Sequence, residues 1–258
     1  MAFLTRPLSS IGFGAFKIGR NAGVKYERGY DLPDMPAVRT LLNGILDMGI
    51  NYVDTAPAYG LSERRIGETI AHRRHEYTLS TKVGESFSNG VSRHDFSKMA
   101  VQASIDNSLR SLRTDVLDCV FIHSTPDDVW VLEQTDVVPT LIELRQKGLI
   151  RGIGLSGYTV EGFRKALPWV DAIMAEYHPK ATSLTPIIQE AASRGILLIV
   201  KKGLGSGTLD AADSLTWILR NPAVTSVIVG SLSLDHMREN LRIALGIRQQ
   251  ASGISGMI

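Results

Sequence analysis

The chain has 258 residues, 44% hydrophobic and 21% charged, enough for one large core and ordinary for a globular protein. Its net charge of +2 gives no case for a nucleic-acid binder, and no stretch approaches the ~20 apolar residues of a membrane-spanning helix. A single cysteine, Cys119, rules out a disulfide framework; with no secretory leader pattern in the first residues, a cytoplasmic protein is expected, with no membrane partner.

The first apolar run, Ser10–Gly14, predicts a strand. Helical spacing follows over Pro36–Met48, where Val38, Leu41, Leu42, Ile45 and Leu46 recur on one face. Tyr52–Asp54 predicts the second strand and Ser62–Ala71 the helix after it. His72-Arg73-Arg74-His75 reads as a solvated helix end, since a polyanion patch would need more basic residues nearby. Thr78–Lys82 is the third strand, followed by a helix over Phe96–Leu112 with Asp95 as its N-cap. Leu117–His123 is the fourth, and the helix Val137–Lys147 stops at Gly148. Strands at Gly152–Ser156, Ala172–Glu176, Leu197–Lys201 and Val227–Gly230 then alternate with helices at Thr159–Leu167, Thr185–Arg194, Asp213–Arg220 and Leu234–Ile247. Eight β-then-α units with no linker predict a (β/α)8 TIM barrel, a single domain over residues 1–258. The rival is a doubly wound sheet, but Gly12-Phe-Gly14-Ala-Phe-Lys17 lacks the third glycine of a dinucleotide turn.

In a barrel, reactive residues gather at the C-terminal ends of the strands. Asp54, Tyr59, Lys82 and His123 lie at or just past three of them. A phenol with an ordinary pKa of about 10 is a poor acid, and a cation such as Lys82 beside Tyr59 would lower that value. Each residue also has a structural reading: Asp54 as a cap or turn end, Tyr59 as a loop anchor, Lys82 as a solvent-facing strand end, His123 as a satisfied histidine. Their joint placement around one mouth favours chemistry. A metal-dependent hydrolase built on Asp54, His123 and His178 lacks any H-x-H or H-E-x-x-H pair, so no metal is expected.

At these residues the chain resembles the aldo-keto reductase family. The likeness is carried by Asp-Thr-Ala-x-x-Tyr-Gly at 54–60, Ser80-Thr-Lys82-Val, Asp115-Val-Leu-Asp-Cys-Val-Phe-Ile-His123, Lys147-Gly-Leu-Ile-Arg-Gly-Ile-Gly-Leu-Ser156, Glu176-Tyr-His-Pro179, Val227-Ile-Val-Gly230 and Glu239-Asn240. It spans residues 8 to 247 and implies a TIM barrel using NADPH (NADP), with NAD possible. The implied reaction reduces an aldehyde or ketone, or runs in reverse on a sugar or alcohol, so the implied partner is a small carbonyl or sugar molecule. The chain itself is expected to be a monomer or small homo-oligomer. The resemblance implies Tyr59 as general acid, Lys82 and Asp54 as the ion pair that tunes it, and His123 as the group orienting the substrate oxygen.

For the cofactor the resemblance implies Ser156 at the nicotinamide carboxamide and Gly203, Leu204, Gly205 and Gly207 around the pyrophosphate. Gly230, Ser231, His236 and Asn240 fall at the adenosine end, with Arg238 a second candidate for a 2′-phosphate. Gly230 and His236 stand where family members often have a lysine and an arginine, and at the nicotinamide three further positions depart from the family pattern: Gly157 replaces an asparagine, Met174 a glutamine and Lys201 a stacking tyrosine. Lys201 could instead meet the pyrophosphate or a substrate anion, or pair with an acid at the rim. These departures motivate an alternative, a cofactor-binding regulatory or redox-sensor protein with little turnover. Phe16, Lys17, Tyr26 and Trp130 lie in loops that could wall a substrate pocket or pack against the rim.

Overall fold

A computed structural model describes residues 4–23 and 29–251; Tyr26 lies outside them. The chain opens with β1 (Ile11–Gly14), α1 (Met35–Asp47), β2 (Tyr52–Asp54), α2 (Ser62–Ile70) and β3 (Thr78–Val83). A hairpin, β4 (Glu85–Ser88) and β5 (Val91–His94), comes before α3 (Lys98–Leu112) and β6 (Leu117–His123). Then follow α4 (Asp128–Gln134), α5 (Val137–Gln146), β7 (Ile150–Ser156), α6 (Val160–Ala166), β8 (Ala172–Glu176) and α7 (Thr185–Ser193). The last elements are β9 (Leu197–Lys201), α8 (Ala211–Leu219), β10 (Val224–Val229) and α9 (Leu234–Ala251).

Eight parallel strands close in the order β1-β10-β9-β8-β7-β6-β3-β2, with Phe13 paired to Val53 and Ile11 to Val227 at the closure. This is the expected (β/α)8 barrel. Parallel strands buried on both faces read as continuous apolar runs, which is why the sequence marked them. Side chains alternate between two cores. Outward residues such as Val120, Ile122, Ile153 and Leu155 pack under the helices, while Cys119, Phe121, Met174 and Ile199 fill the barrel. Phe121 takes the space above Gly154, where a Cβ would stand 2.4 Å from its ring.

The hairpin was not expected, because its strands are polar and largely exposed. Its signal was Asn89-Gly90, with φ of 51° and 81°, the two-residue turn that matches the twist of paired strands. The short helix α4 was also missed. Asp128 at its start is 1% exposed and accepts hydrogen bonds from Tyr158 N at 2.8 Å and Thr159 N at 2.6 Å, fixing the entry to α6. The start of α3 moves from Phe96 to Lys98. Ser97 rather than Asp95 caps it, its Oγ accepting from Ala100 N, while Asp95 accepts from Ser97 N at 2.9 Å.

At the opposite end of the barrel, Arg74 and Arg151 share the buried carboxylate of Asp118 at 2.6 and 2.8 Å. Arg73 pairs with Asp47 and Glu76, so both arginines of the basic cluster are engaged within the fold. Among the described residues, no helix is long and apolar enough to cross a membrane.

Candidate active site

The site grows from the pairing of β2 with β3. Their register sets Asp54 beside Ser80, with Lys82 two residues further along β3 on the same face. Lys82 Nζ donates to Asp54 Oδ2 at 2.6 Å and to the Thr55 carbonyl at 2.9 Å. Ser80 Oγ donates to the other carboxylate oxygen at 2.7 Å, and the Tyr52 hydroxyl stands 2.9 Å from Ser80 Oγ. Both charges are 2% exposed. Such a pair is stable in the interior only when its remaining donors and acceptors are satisfied, as they are here. Burial works against the Lys82 ammonium, but Asp54 and then Tyr59 outweigh it and hold the pKa above the ordinary lysine value.

Tyr59 ends a tight turn over Pro57–Tyr59, followed by Gly60 at φ 62°. A Cβ at Gly60 would meet the Gly19 carbonyl oxygen at 2.5 Å, so the close approach of this loop to the chain after β1 requires glycine. Phe16 from that segment sets its ring edge against Tyr59, with centroids 5.0 Å apart. Lys82 Nζ is 4.8 Å from the centre of the Tyr59 ring. Burial is the largest influence on the phenol and raises its pKa; Lys82 lowers it, as expected, but Asp54 and Glu85 add to the rise and the net value stays above the ordinary one. The same carboxylate that keeps Lys82 charged cancels much of its field at Tyr59.

His123, at the end of β6, faces Tyr59 nearly perpendicularly with ring centroids 6.3 Å apart. Its Nδ1 stands 2.8 Å from Glu85 Oε2 on the unexpected hairpin. The oxygen lies off the in-line direction of the ring N–H, so the contact is electrostatic more than an aligned hydrogen bond. Burial lowers the His123 pKa, against the opposing pull of Glu85. Burial also opposes the Glu85 carboxylate, but the contact with His123 outweighs it and brings its pKa down to about 2. Nδ1 is assigned the hydrogen because an N–H dipole is attracted to an ionised oxygen 2.8 Å away even off the in-line direction, whereas lone-pair density is repelled. The nitrogen left for a ligand is then Nε2. It accepts a hydrogen bond from an alcohol when the ring is neutral, and donates one to a carbonyl only when the ring is protonated.

A cavity of about 600 Å³ opens above these groups. The residues expected at the site that line it are Asp54, Tyr59, Lys82, His123, Phe16, Lys17, Ser156, Lys201, Gly203, Leu204, Gly207, Gly230, Ser231, His236 and Asn240. Gly205 belongs to the same loop but not to the lining. Trp130 is not brought there. It sits on α4, 50% exposed, over a separate hollow lined by His94, Phe96 and Thr125, because α4 turns outward between β6 and α5. Arg238 pairs with Asp235 and does not line the cavity. Sequence reasoning missed Glu85, Tyr158 and Lys202, and gave no role to Glu239, which also lines the cavity. The Asn89-Gly90 turn was the available signal for Glu85.

The lining can be tested against a nicotinamide dinucleotide. The Asn240 side chain is 5% exposed and makes no hydrogen bond among the described residues, so a polar group on the cavity wall awaits a partner. At Gly207 a Cβ would meet nothing within 4 Å, and at Gly230 only the Gly14 carbonyl at 3.4 Å. The wall there is bare backbone that a phosphate can approach. These features fit the dinucleotide. Lys201 does not pair with an acid at the rim; that pairing belongs to its neighbour, Lys202 with Glu176 at 2.6 Å. Among the described residues, no cluster of His, Cys, Asp and Glu is placed to hold a metal.

Comparison with known proteins agrees with this geometry. The family model described as the Aldo/keto reductase family matches residues 10–216. L-galactose dehydrogenase of Arabidopsis thaliana is 29% identical over 233 residues, covering 85% of this chain and 69% of that protein. A provisionally assigned aldo-keto reductase from Pseudomonas aeruginosa superposes with a TM-score of 0.86 at 36% identity, over 94% of this chain and 95% of its own. An aldo-keto reductase from Klebsiella pneumoniae, solved in complex with NADPH, shares the fold at 20% identity and a TM-score of 0.70, over 92% of this chain and 86% of its own. With the family model spanning most of the barrel, and a buried carboxylate–lysine pair, a tyrosine and a histidine meeting at the mouth, this chain belongs to the aldo/keto reductase family.

Proposed function

We propose that this protein is an NADP(H)-dependent oxidoreductase that reduces an aldehyde or ketone to an alcohol, or oxidises a sugar or other alcohol in reverse. The observation that carries this is the buried Asp54–Lys82 pair beside Tyr59, with His123 opposite, on the floor of a cavity able to hold a dinucleotide. The cofactor, when bound, supplies or accepts the hydride. Asn240, His236, Ser231 and Gly230 would hold its adenosine end, the backbone of Gly203, Leu204, Gly205 and Gly207 would cradle the pyrophosphate, and Ser156 and Lys201 would lie toward the nicotinamide.

Tyr59 donates its Oη proton to the carbonyl oxygen. A phenol with a raised pKa keeps that proton at neutral pH, and the Lys82 ammonium stabilises the phenolate only as it forms. Asp54 keeps Lys82 charged and fixed. His123 orients the substrate oxygen through Nε2. Glu85 stabilises a protonated ring for carbonyl reduction, while the neutral ring suits an alcohol substrate. Gly14, Phe16 and Met174 supply apolar wall beside these polar groups.

The test is titration of the protein with NADPH and NADH by tryptophan and cofactor fluorescence, followed by a panel of aldehydes and sugars with Tyr59→Phe as control. Micromolar binding of NADPH, with turnover lost in Tyr59→Phe, is expected. Binding of neither cofactor up to millimolar concentration overturns the proposal. Tight binding without turnover leaves the cofactor-binding regulator on the same fold.

A further inference from the structure

Lys201 ends β9 inside the cavity, and its amine has only neutral partners. Nζ contacts the Gly157 carbonyl at 3.0 Å and Ser156 Oγ at 3.1 Å, and stands 4.6 Å from the centre of the Tyr158 ring. Glu176, its register partner on β8, is taken by Lys202. The Asp128 carboxylate on α4 accepts the backbone N–H groups of Tyr158 and Thr159 on Oδ2, while its buried Oδ1 has no hydrogen-bond partner and forms no ion pair with Lys201. Among the described residues no carboxylate forms an ion pair with Lys201. Lys202 follows it in the chain, and Lys82 lines the same cavity from β3.

A recessed amine among cations and without a counter-ion is driven toward its neutral form. Burial is the main cause, then Lys202 and Lys82; together they outweigh Asp128 and Glu176 and lower the Lys201 pKa to about 7. About half of this amine is then unprotonated at neutral pH, against roughly one in a few thousand for an ordinary lysine. Lys82 is the contrast within the cavity, since Asp54 locks it as ammonium.

The geometry points to Lys201 as a nucleophilic lysine that captures small aldehydes as an imine inside the cavity, a chemistry distinct from hydride transfer. That carbonyl compounds enter this cavity rests on the proposed function. The Nζ lone pair forms a bond to the carbonyl carbon, and the C=O π pair moves to oxygen, which takes up the proton that nitrogen releases. The resulting carbinolamine hydroxyl is protonated by solvent and leaves as water. The nitrogen pair forms C=N, and the second N–H proton returns to solvent. Amine and aldehyde thus give imine and water, with no oxidant or reductant consumed. Ser156 and Gly157, already on Nζ, hold the nitrogen during the attack. Because Lys201 borders the volume assigned to the nicotinamide, an imine there competes with cofactor, so aldehyde met in the absence of cofactor would slow cofactor binding.

The experiment exposes the whole protein to acetaldehyde and sodium cyanoborohydride between pH 6 and 8.5, with peptide mass mapping of every ethylated lysine. Cyanoborohydride traps an imine as a stable secondary amine. At pH 7 we expect Lys201 to be labelled at least about tenfold faster than the exposed Lys180, from its larger neutral fraction. The Lys201-to-Lys180 ratio should fall as pH rises past the Lys201 value, where its own neutral fraction stops growing. NADPH should protect Lys201, and Lys82 should stay unlabelled. Labelling of Lys201 no faster than Lys180 across this range, or equal labelling of Lys82, overturns the assignment. Turnover of carbonyls with an unlabelled Lys201 removes this inference alone; a labelled Lys201 without turnover removes the proposed function alone.

Discussion

Replacing Glu85 with glutamine tests the link between the hairpin and the reactive histidine. The carboxylate side chain is 15% exposed and faces His123 Nδ1 at 2.8 Å, and its pKa lies near 2 instead of the ordinary 4.5. A carboxyl group depressed in the folded state stabilises the fold above its unfolded pKa, and that contribution is lost as pH falls through the folded value. With solvent screening of a partly exposed pair, this depression contributes on the order of 1–2 kcal/mol, present above about pH 4.5 and lost as pH falls toward 2. Glu85→Gln keeps the shape and a hydrogen-bonding group but has no charge to titrate. Urea unfolding of both proteins at intervals from pH 6 to pH 2.5 should show the wild type losing its advantage over the variant as pH falls. A difference that stays flat across this window refutes an ionised Glu85 held by His123. In the same variant the His123 ring loses the charge that favours protonation. The alkaline limb of carbonyl reduction, where the ring loses its proton, should therefore move to lower pH, while alcohol oxidation at neutral pH is changed less.

Asp54→Asn leaves the Lys82 ammonium buried without its counter-charge. It should destabilise the protein by about 3–5 kcal/mol by denaturant unfolding and lower the Lys82 pKa; an unchanged unfolding midpoint would argue against a charged pair. Gly154→Ala drives a Cβ to 2.4 Å from the Phe121 ring and should cost about 1–3 kcal/mol, read as a lower thermal midpoint, with relief expected in the double variant Gly154→Ala/Phe121→Leu. Asn240→Ala removes an unpartnered polar group from the cavity wall. If that amide meets the cofactor, NADPH binding weakens by about tenfold while turnover at saturating cofactor stays near the wild-type value; unchanged binding would free Asn240 from that role.

The barrel was legible in the sequence because its eight strands are buried on both faces and so appear as apolar runs, with β2, β6, β8 and β9 read correctly at both ends. Asp54, Lys82 and His123 could be placed at one mouth because parallel strands all end on the same side. What the sequence could not supply were groups brought close from elsewhere in the chain. Glu85 reaches His123 from a polar, exposed hairpin that has no apolar period to announce it, and Trp130 is carried away by a short helix that the pattern did not separate from its neighbours. Nor did residue type fix the state of charge. Lys82 and Lys201 both lie at the C-terminal end of a barrel strand, yet one is held as an ammonium by Asp54 while the other's register partner, Glu176, pairs with Lys202. A pKa is set by burial and by the charges within a few ångströms, and those distances exist only once the strands have paired and the loops have closed over them.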